Sequence, residues 1–565
     1  MNVRKEFLAI LFSILAIMAF STPASAATPE EVENSIQNGT AWLAATQNPD
    51  GSWGDSSTIA TSGLVLYKLI DRAYELDKDP LEVCGDPVSP TCYEYAQNVV
   101  EGLDFVMANV QTVNNPALQD HTLLPGSGTW DDPDTNGNDI ALYWQSDYCS
   151  TIPGPCSDRQ SYTTGIMTAM LSLLDGTELV TAGPYTGTTY AVITQDAVDW
   201  LAYAQSDLGP NEGAWEYSGS NNTGGGDNSV SGYAVLGLAS AEAAGYTVPD
   251  WVKAELNLWI NYIQNTANGV WCDNQDTGDC IGGPGYWEPN SWVNILKTGN
   301  LIQEMTLFGD PNTQPRLVNA TNYIERHFYD TNIDPGWGYT MITADYQAMF
   351  TTMKGFEYAG IDLIALDGDS IADDDWWMIF ADTIVAQEIP GLEPDQGYWK
   401  GCNWGTDHLC TAWALLTLEK TAPPSPMIEV YFDVKPGSCP NPINPGKKGV
   451  TPVAILGTEE FDVTTIDPET VQLTLEGMDV GVAPLRSDYE DVATPFDPVD
   501  DACCHDLNGD GFMDMTLKFD TPTLVETLGL TYSGEMIQLQ VVGNLNEESG
   551  GTSIMGEDCV LILDK

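Results

Sequence analysis

Positive charge is what this sequence has least of. Lys and Arg number 19 against 82 Asp and Glu, a net charge of −63. A surface of that sign repels phosphate backbones and anionic membranes, which excludes nucleic acid as a partner. Adaptation to salt, or binding of divalent cations, accounts for so many carboxylates ahead of an acidic partner-binding role. Histidine is also rare, at four residues: His121, His327, His408 and His505. They are scattered, so no clustered histidine metal site is available.

Long apolar runs are missing after residue 20. The one such run, Phe7 to Phe20, follows Arg4 and Lys5 and precedes Ala24-Ser25-Ala26. Basic, apolar and small-residue stretches in that order make a secretory signal peptide over 1–26. The run is short for a span of about 20 residues. The mature chain is therefore expected to be secreted, extracellular or surface-associated, with no membrane span.

Cysteine, by contrast, is present in an even number, twelve. Cys84 and Cys92, Cys149 and Cys156, Cys272 and Cys280, and Cys402 and Cys410 stand in close pairs within polar stretches. That spacing suits a disulfide stapling one loop, and an exported chain favours it over zinc. Cys439, Cys503, Cys504 and Cys559 lie in the last part of the chain. Because Cys503 and Cys504 are adjacent, they are expected to pair outward, with connectivity left open.

Between residues 27 and 420 one unit recurs six times. An amphipathic segment leads to a polar turn, then to a Trp, mostly as Gly-x-Trp, then to a helix rich in small residues. The tryptophans are Trp53, Trp130, Trp215, Trp271, Trp337 and Trp399. Gln47, Gln205, Gln264 and Gln387 precede several of them. A Gln amide there satisfies orphan carbonyls at a helix end, and the indole packs over it. Small residues such as Gly165, Ala169 and Ala234 let the second helices approach closely as an inner layer.

The first copy, QNPDGSW, resembles the QW repeat of the squalene and terpene cyclases. Six helix pairs are similar to the α/α toroid those cyclases share with protein prenyltransferase β subunits. The resemblance implies six inner and six outer helices, an (α/α)6 barrel, around a central cavity. It does not bring the chemistry with it. A cyclase needs an aspartate-rich DxDD acid, and the nearest run, Asp373-Asp374-Asp375, reads as a helix cap. A prenyltransferase needs a zinc held by Asp, Cys and His. Asp407-His408-Leu409-Cys410 has the residue types without the spacing, so no zinc is expected. Tyr162, Asn290, Asp345, Asp407 and His408 are expected at the mouth of the cavity. Helix N-termini gathered there favour an anionic ligand.

Thr421 to Pro426 is a stiff linker. Beyond it, over 427–565, short alternating segments predict a small all-β, sandwich-like domain. Asp506-Leu507-Asn508-Gly509-Asp510-Gly511-Phe512-Met513-Asp514 resembles the calcium loops of dockerins and integrin-type repeats. Asp506, Asn508, Asp510, the Phe512 carbonyl and Asp514 are the expected ligands of a Ca2+ ion. A sparser run, Asp132, Asp134, Asn136 and Asp139, has Ile140 at its ninth position and is expected to be an acidic turn.

The sequence thus leads to an extracellular binding or structural scaffold with a calcium-stabilised C-terminal domain. Its partner would be a polysaccharide or a surface protein. The alternative is an exported toroid enzyme, a lyase or hydrolase, acting on polysaccharide. No catalytic residue is assigned from the sequence.

Overall fold

Thr28 sets the start of the first helix. Its hydroxyl accepts from Glu31 N, and the Glu31 carboxylate accepts from Thr28 N at 2.8 Å, a capping box with Pro29 in the first turn. The computed structural model describes residues 27–83, 92–120, 130–146, 159–219, 224–267, 279–330, 345–366, 371–393, 395–402, 406–421, 427–458, 461–475, 481–495, 507–530, 534, 536–546 and 553–563. The expected signal segment, 1–26, lies outside them. So do Trp271, Trp337, Cys84, Cys149, Cys156, Cys272, Cys503, Cys504 and Asp506.

Helices and short strands alternate through the first part. They are α1 (Pro29–Ala45), α2 (Thr58–Glu75), α3 (Ala96–Ala108), β1 (Gln111–Asn114), β2 (Gln119–Asp120), β3 (Trp130–Asp131) and β4 (Ile140–Tyr143). Then come α4 (Gln160–Leu171), α5 (Tyr190–Tyr203), α6 (Asn228–Ala243), α7 (Asp250–Ile263), α8 (Ile295–Phe308) and α9 (Pro315–His327). They are followed by α10 (Tyr346–Ala359), α11 (Trp376–Ala386), β5 (Ile389–Pro390), β6 (Gly397–Tyr398) and α12 (Asp407–Leu418). Among the described residues no helix is long and apolar enough to cross a membrane.

Six of these helices are buried nearly all round. α2 packs on α4, α4 on α6, α6 on α8, α8 on α10, α10 on α12, and α12 on α2. Glycines allow the approach. A Cβ at Gly165 in α4 would lie 2.1 Å from the Tyr233 carbonyl, and one at Gly299 in α8 would lie 2.4 Å from that of Thr351. Polar and charged contacts tie the ends of the last two helices of this part to the first two. Ser35 and Asn38 of α1 donate to Glu388, while Lys68 and Arg72 of α2 pair with Glu419 at the end of α12.

The same tryptophan device occurs at four places. The indole N–H donates to a helix-end carbonyl: Trp53 to Leu43, Trp144 to Val106, Trp215 to Leu201 and Trp399 to Ile384, at 2.7 to 2.8 Å. The backbone N–H of each donates to a hydroxyl on the following buried helix: Ser62, Thr164, Ser231 and Thr411. In the second place Trp144 fills the role expected of Trp130. Gln47, Gln205 and Gln264 each bridge two carbonyls, the second on a neighbouring helix: Asn98, Val252 and Arg316. Gln264 reaches Gly282, whose φ of +92° matches the +87° of Gly213. Gly282-Gly283-Pro284 therefore takes the turn that Gly269-Val270-Trp271 was expected to take.

The last part holds β7 (Met427–Glu429), β8 (Phe432–Val434), β9 (Pro442–Ile443), β10 (Val450–Ile455), β11 (Ile466–Thr474), β12 (Arg486–Glu490), β13 (Asp514–Asp520), α13 (Thr521–Thr527), β14 (Met536–Leu545) and β15 (Ser553–Ile562). One sheet runs β12-β13-β10-β8, all antiparallel; the other runs β11-β14-β15-β7. Both β7 and β9 join β15 in parallel. Met515, Leu517 and Phe519 point inward as their alternation requires. This core, from Val430 to Ile562, is separate from the helical one, from Val32 to Leu418.

The expected architecture, an (α/α)6 toroid of six clean hairpins followed by an all-β domain, is corrected by these elements. Thirteen α-helices stand among the described residues, and three two-stranded ladders, β1-β4, β2-β3 and β5-β6, interrupt the helical part. The final part is mixed, with a helix after β13 and strands of both directions. The reason is local. Residues 111–143 combine Thr, Val and Tyr with Asn, Gly and Asp, a composition that favours ladders and turns over a helix. Asp520 caps α13 from the end of a strand, accepting from Thr523 N, with Pro522 in the first turn.

Candidate functional site: a tyrosine-lined cavity

The first two turns of the six buried helices converge on a cavity of about 270 Å3. Ala60, Tyr162, Tyr233, Lys297, Gln347 and Trp413 each come from a different one of them. Helix N-termini carry partial positive charge, so their convergence favours an anion. Among the described lining residues there is no Asp or Glu, in a chain with 82 of them. Arg159 and Lys297 supply full positive charge.

Aromatic rings hold these cations. Arg159 sits in the left-handed region at the start of α4, with its guanidinium 5.9 Å from the centre of the Tyr217 ring. The Lys297 ammonium lies 5.4 Å from the ring centres of both Tyr286 and Trp292. A cation on an aromatic face keeps its N–H groups for hydrogen bonding while the ring offsets its lost hydration.

Two hydroxyl arrangements fix the polar lining. Tyr233 Oη accepts from Trp413 Nε1 at 3.1 Å and from Gln347 Nε2 at 3.3 Å. With both lone pairs engaged, its own O–H is a donor. Beneath the ring, Lys354 Nζ donates to Gly232 O at 2.8 Å and stands 4.9 Å from the Tyr233 ring centre. Burial pulls the Lys354 ammonium down to about 7. On the other side Tyr217 Oη and Tyr286 Oη are 2.9 Å apart. Near them stands the buried carboxylate of Asp227, the cap of α6, which accepts from Ser229 N and Val230 N. Burial, then the charge of Asp227, pushes the Tyr286 hydroxyl well up, so it remains a proton donor.

The residues expected at the mouth are only partly brought together. Tyr162 lines the cavity. Asp345 caps α10 through Ala348 N, next to Gln347. Asn290 is exposed in a turn, and Asp407 is an exposed residue in the first turn of α12. His408 packs on α1, its ring 4.9 Å from that of Trp42 and Nε2 3.1 Å from Thr46 Oγ1. Cys410 is bonded to Cys402. Cys92, Cys280 and Cys439 are disulfide-bonded as well. Asp375 caps α11, as its position before Trp376 suggested. Sequence reasoning missed Arg159, Tyr217, Tyr233 and Lys297. For Arg159, Tyr233 and Lys297 the signal is position, in or just before the first two turns of a buried helix; Tyr217, in the turn after Trp215, carries none.

The C-terminal loop has its own geometry. Asp510 N and Gly511 N each donate to the carboxylate of Asp491 at 2.9 Å, and Phe512 N donates to Asp510 Oδ1. Asn508 O accepts from Thr494 Oγ1. Asp514, fully buried in β13, accepts from Gly457 N on one oxygen and from Val492 N and Ala493 N on the other. The donor set around 508–510, with Asp491 added, is all oxygen and fits calcium. Asp514 braces the strand ends beside it.

No family model matches this chain, and no curated protein matches it.

Proposed function

We propose that this is an extracellular binding protein whose helical part holds a small anionic ligand, of the size of one acidic sugar, in the tyrosine-lined cavity. The observation that carries this reading is the placement of Arg159 and Lys297 on aromatic faces at converging helix N-termini. The cavity falls just below the roughly 300–1,000 Å3 of pockets for drug-sized ligands, which suits a single sugar ring better than a long polyene. Donors dominate its wall, so an acceptor-rich guest such as a uronate satisfies it. Disulfides and the signal-like segment support an exported setting. The C-terminal part is the attachment module, with Asn508, Asp510 and Asp491 holding calcium; calcium there would tie the loop to the strand ends.

Hydrolysis of a glycoside normally takes two carboxylates roughly 5–9 Å apart, and the described lining offers none. A lyase reading rests on one observation, the hydroxyl pair of Tyr217 and Tyr286 lying within the field of the buried Asp227 carboxylate. Calorimetry with galacturonate and galactose separates the readings. Binding of the acid alone, weakened at least tenfold in Lys297→Gln, is expected. Equal binding of the neutral sugar, or none of either, rejects the anion site. Release of an unsaturated product from polygalacturonate favours the lyase.

A further inference from the structure

Asp196 and Asp199 lie one turn apart on α5, 1% and 0% exposed. The loop 132–139, between β3 and β4, folds over them. Asn136 Nδ2 and Asn138 Nδ2 donate to Asp196 Oδ1 at 2.7 and 2.8 Å. Thr135 Oγ1 and Gln195 Nε2 donate to Asp199 Oδ1 at 2.7 and 3.2 Å. In both carboxylates the second oxygen, Oδ2, is buried and has no hydrogen-bond partner among the described residues. The loop itself is held by Asp134, which accepts from Gly137 N, Asn138 N and Asp139 N. The acidic turn expected from the sequence is therefore a lid on two further acids that the sequence reading did not connect to it.

Two adjacent buried carboxylates are costly unless something neutralises them. Asp134 adds to the negative charge felt by Asp196, and Asp196 to that felt by Asp199. Each carboxylate keeps one buried oxygen with no partner among the described residues to share its charge. A hard divalent cation relieves the pair, and every side-chain donor facing the pair can offer oxygen.

We propose that Asp196 Oδ2 and Asp199 Oδ2, under the loop 132–139, form a calcium site in the helical part, separate from the C-terminal loop. Thr135, Asn136 and Asn138 hold the two carboxylates in place and supply further oxygens. The ion fastens the β1-β4 insertion to α5, so its effect is on stability.

The test uses the full chain stripped with EDTA and titrated with CaCl2, followed by calorimetry and thermal melting. Asp196→Asn/Asp199→Asn is expected to bind one calcium fewer than the wild type and to lose part of the calcium-dependent rise in melting temperature. In EDTA it should melt no lower than the wild type, because the substitutions remove buried charge. Asp510→Asn serves as the comparison and should retain this site. The single variant Asp199→Asn gives the same readout if the double variant folds poorly. An unchanged stoichiometry, or the full calcium-dependent rise in these variants, overturns the proposal. So does tighter binding of MgCl2 than of CaCl2, which overturns the identity of the ion.

Discussion

Trp413 Nε1 donates to Tyr233 Oη at 3.1 Å across the centre of the helical part, joining α12 to α6. The bond sets the direction of the Tyr233 proton, since Gln347 takes the other lone pair. Tyr233→Phe leaves two buried N–H donors without an acceptor. A loss of about 1–3 kcal/mol in urea unfolding is expected. Galacturonate binding should weaken as well. Unchanged affinity would show that Tyr233 does not face the ligand.

Trp144 is buried on all sides, and its indole holds the end of α3 through Val106 O. Trp144→Ala should cost about 3–5 kcal/mol, the usual range for a large buried aromatic. Denaturation curves of the variant and the wild type measure the loss, and a difference below about 1 kcal/mol would contradict the anchoring role.

Gly165 leaves no room for a side chain against the Tyr233 backbone. Gly165→Ala is expected to destabilise the fold by about 1–3 kcal/mol through overpacking. It should also disturb the cavity, because Tyr233 would have to shift. Thermal melting and ligand calorimetry check the two effects separately.

Asp433 and Asp558 bring a pH dependence to the C-terminal part. Burial raises each to about 7, and for Asp433 the charge of Asp558 adds to it. The folded state then holds protons that the unfolded state releases between about 4 and 7. Stability from these groups is present below pH 4 and is lost as the pH rises through 7. Asp558→Asn should flatten that fall. Melting temperatures in EDTA from pH 4 to pH 8 measure it, and an identical slope in the variant refutes the assignment.

Asp514→Ala removes a buried carboxylate that accepts three backbone N–H groups. The loss should be on the order of 3 kcal/mol, even without calcium, since charged acceptors leave costly orphans. Equal melting of variant and wild type in EDTA would contradict the bracing role.

Much of the helical part was legible because it rests on residue types that do one job. Trp215 uses its indole N–H to satisfy the Leu201 carbonyl at the end of α5, while Gln205 joins the turn at Gly213 to Val252 in the first turn of α7 rather than to a helix-end carbonyl. The insertions were not legible. Trp144 follows a strand instead of a Gly turn, so it lacked the Gly-x-Trp signature that Trp130 carries. Pro284 takes a Trp position that only the positive φ of Gly282 reveals. The architecture was misjudged for a similar reason: ladders such as β1-β4 depend on pairing between residues far apart. The cavity was harder still. Arg159 and Lys297 look like ordinary surface cations until six helix ends place them on one cavity. Asp196 and Asp199 sit one turn apart in a helix, a pattern usually seen on a solvated face, and only the loop from 132 makes them a pair.

The contacts between the first two helices and the end of the helical part have a temporal side. During synthesis α1 and α2 leave the ribosome long before Glu388 and Glu419 exist. Lys68, buried in the finished protein, then has only the acids of its own two helices, such as Asp71 and Glu75, near it. The tyrosine-lined cavity likewise has no complete wall until Trp413 arrives. A nascent chain stalled before α12 should therefore be exposed to proteases and chaperones along its whole helical length.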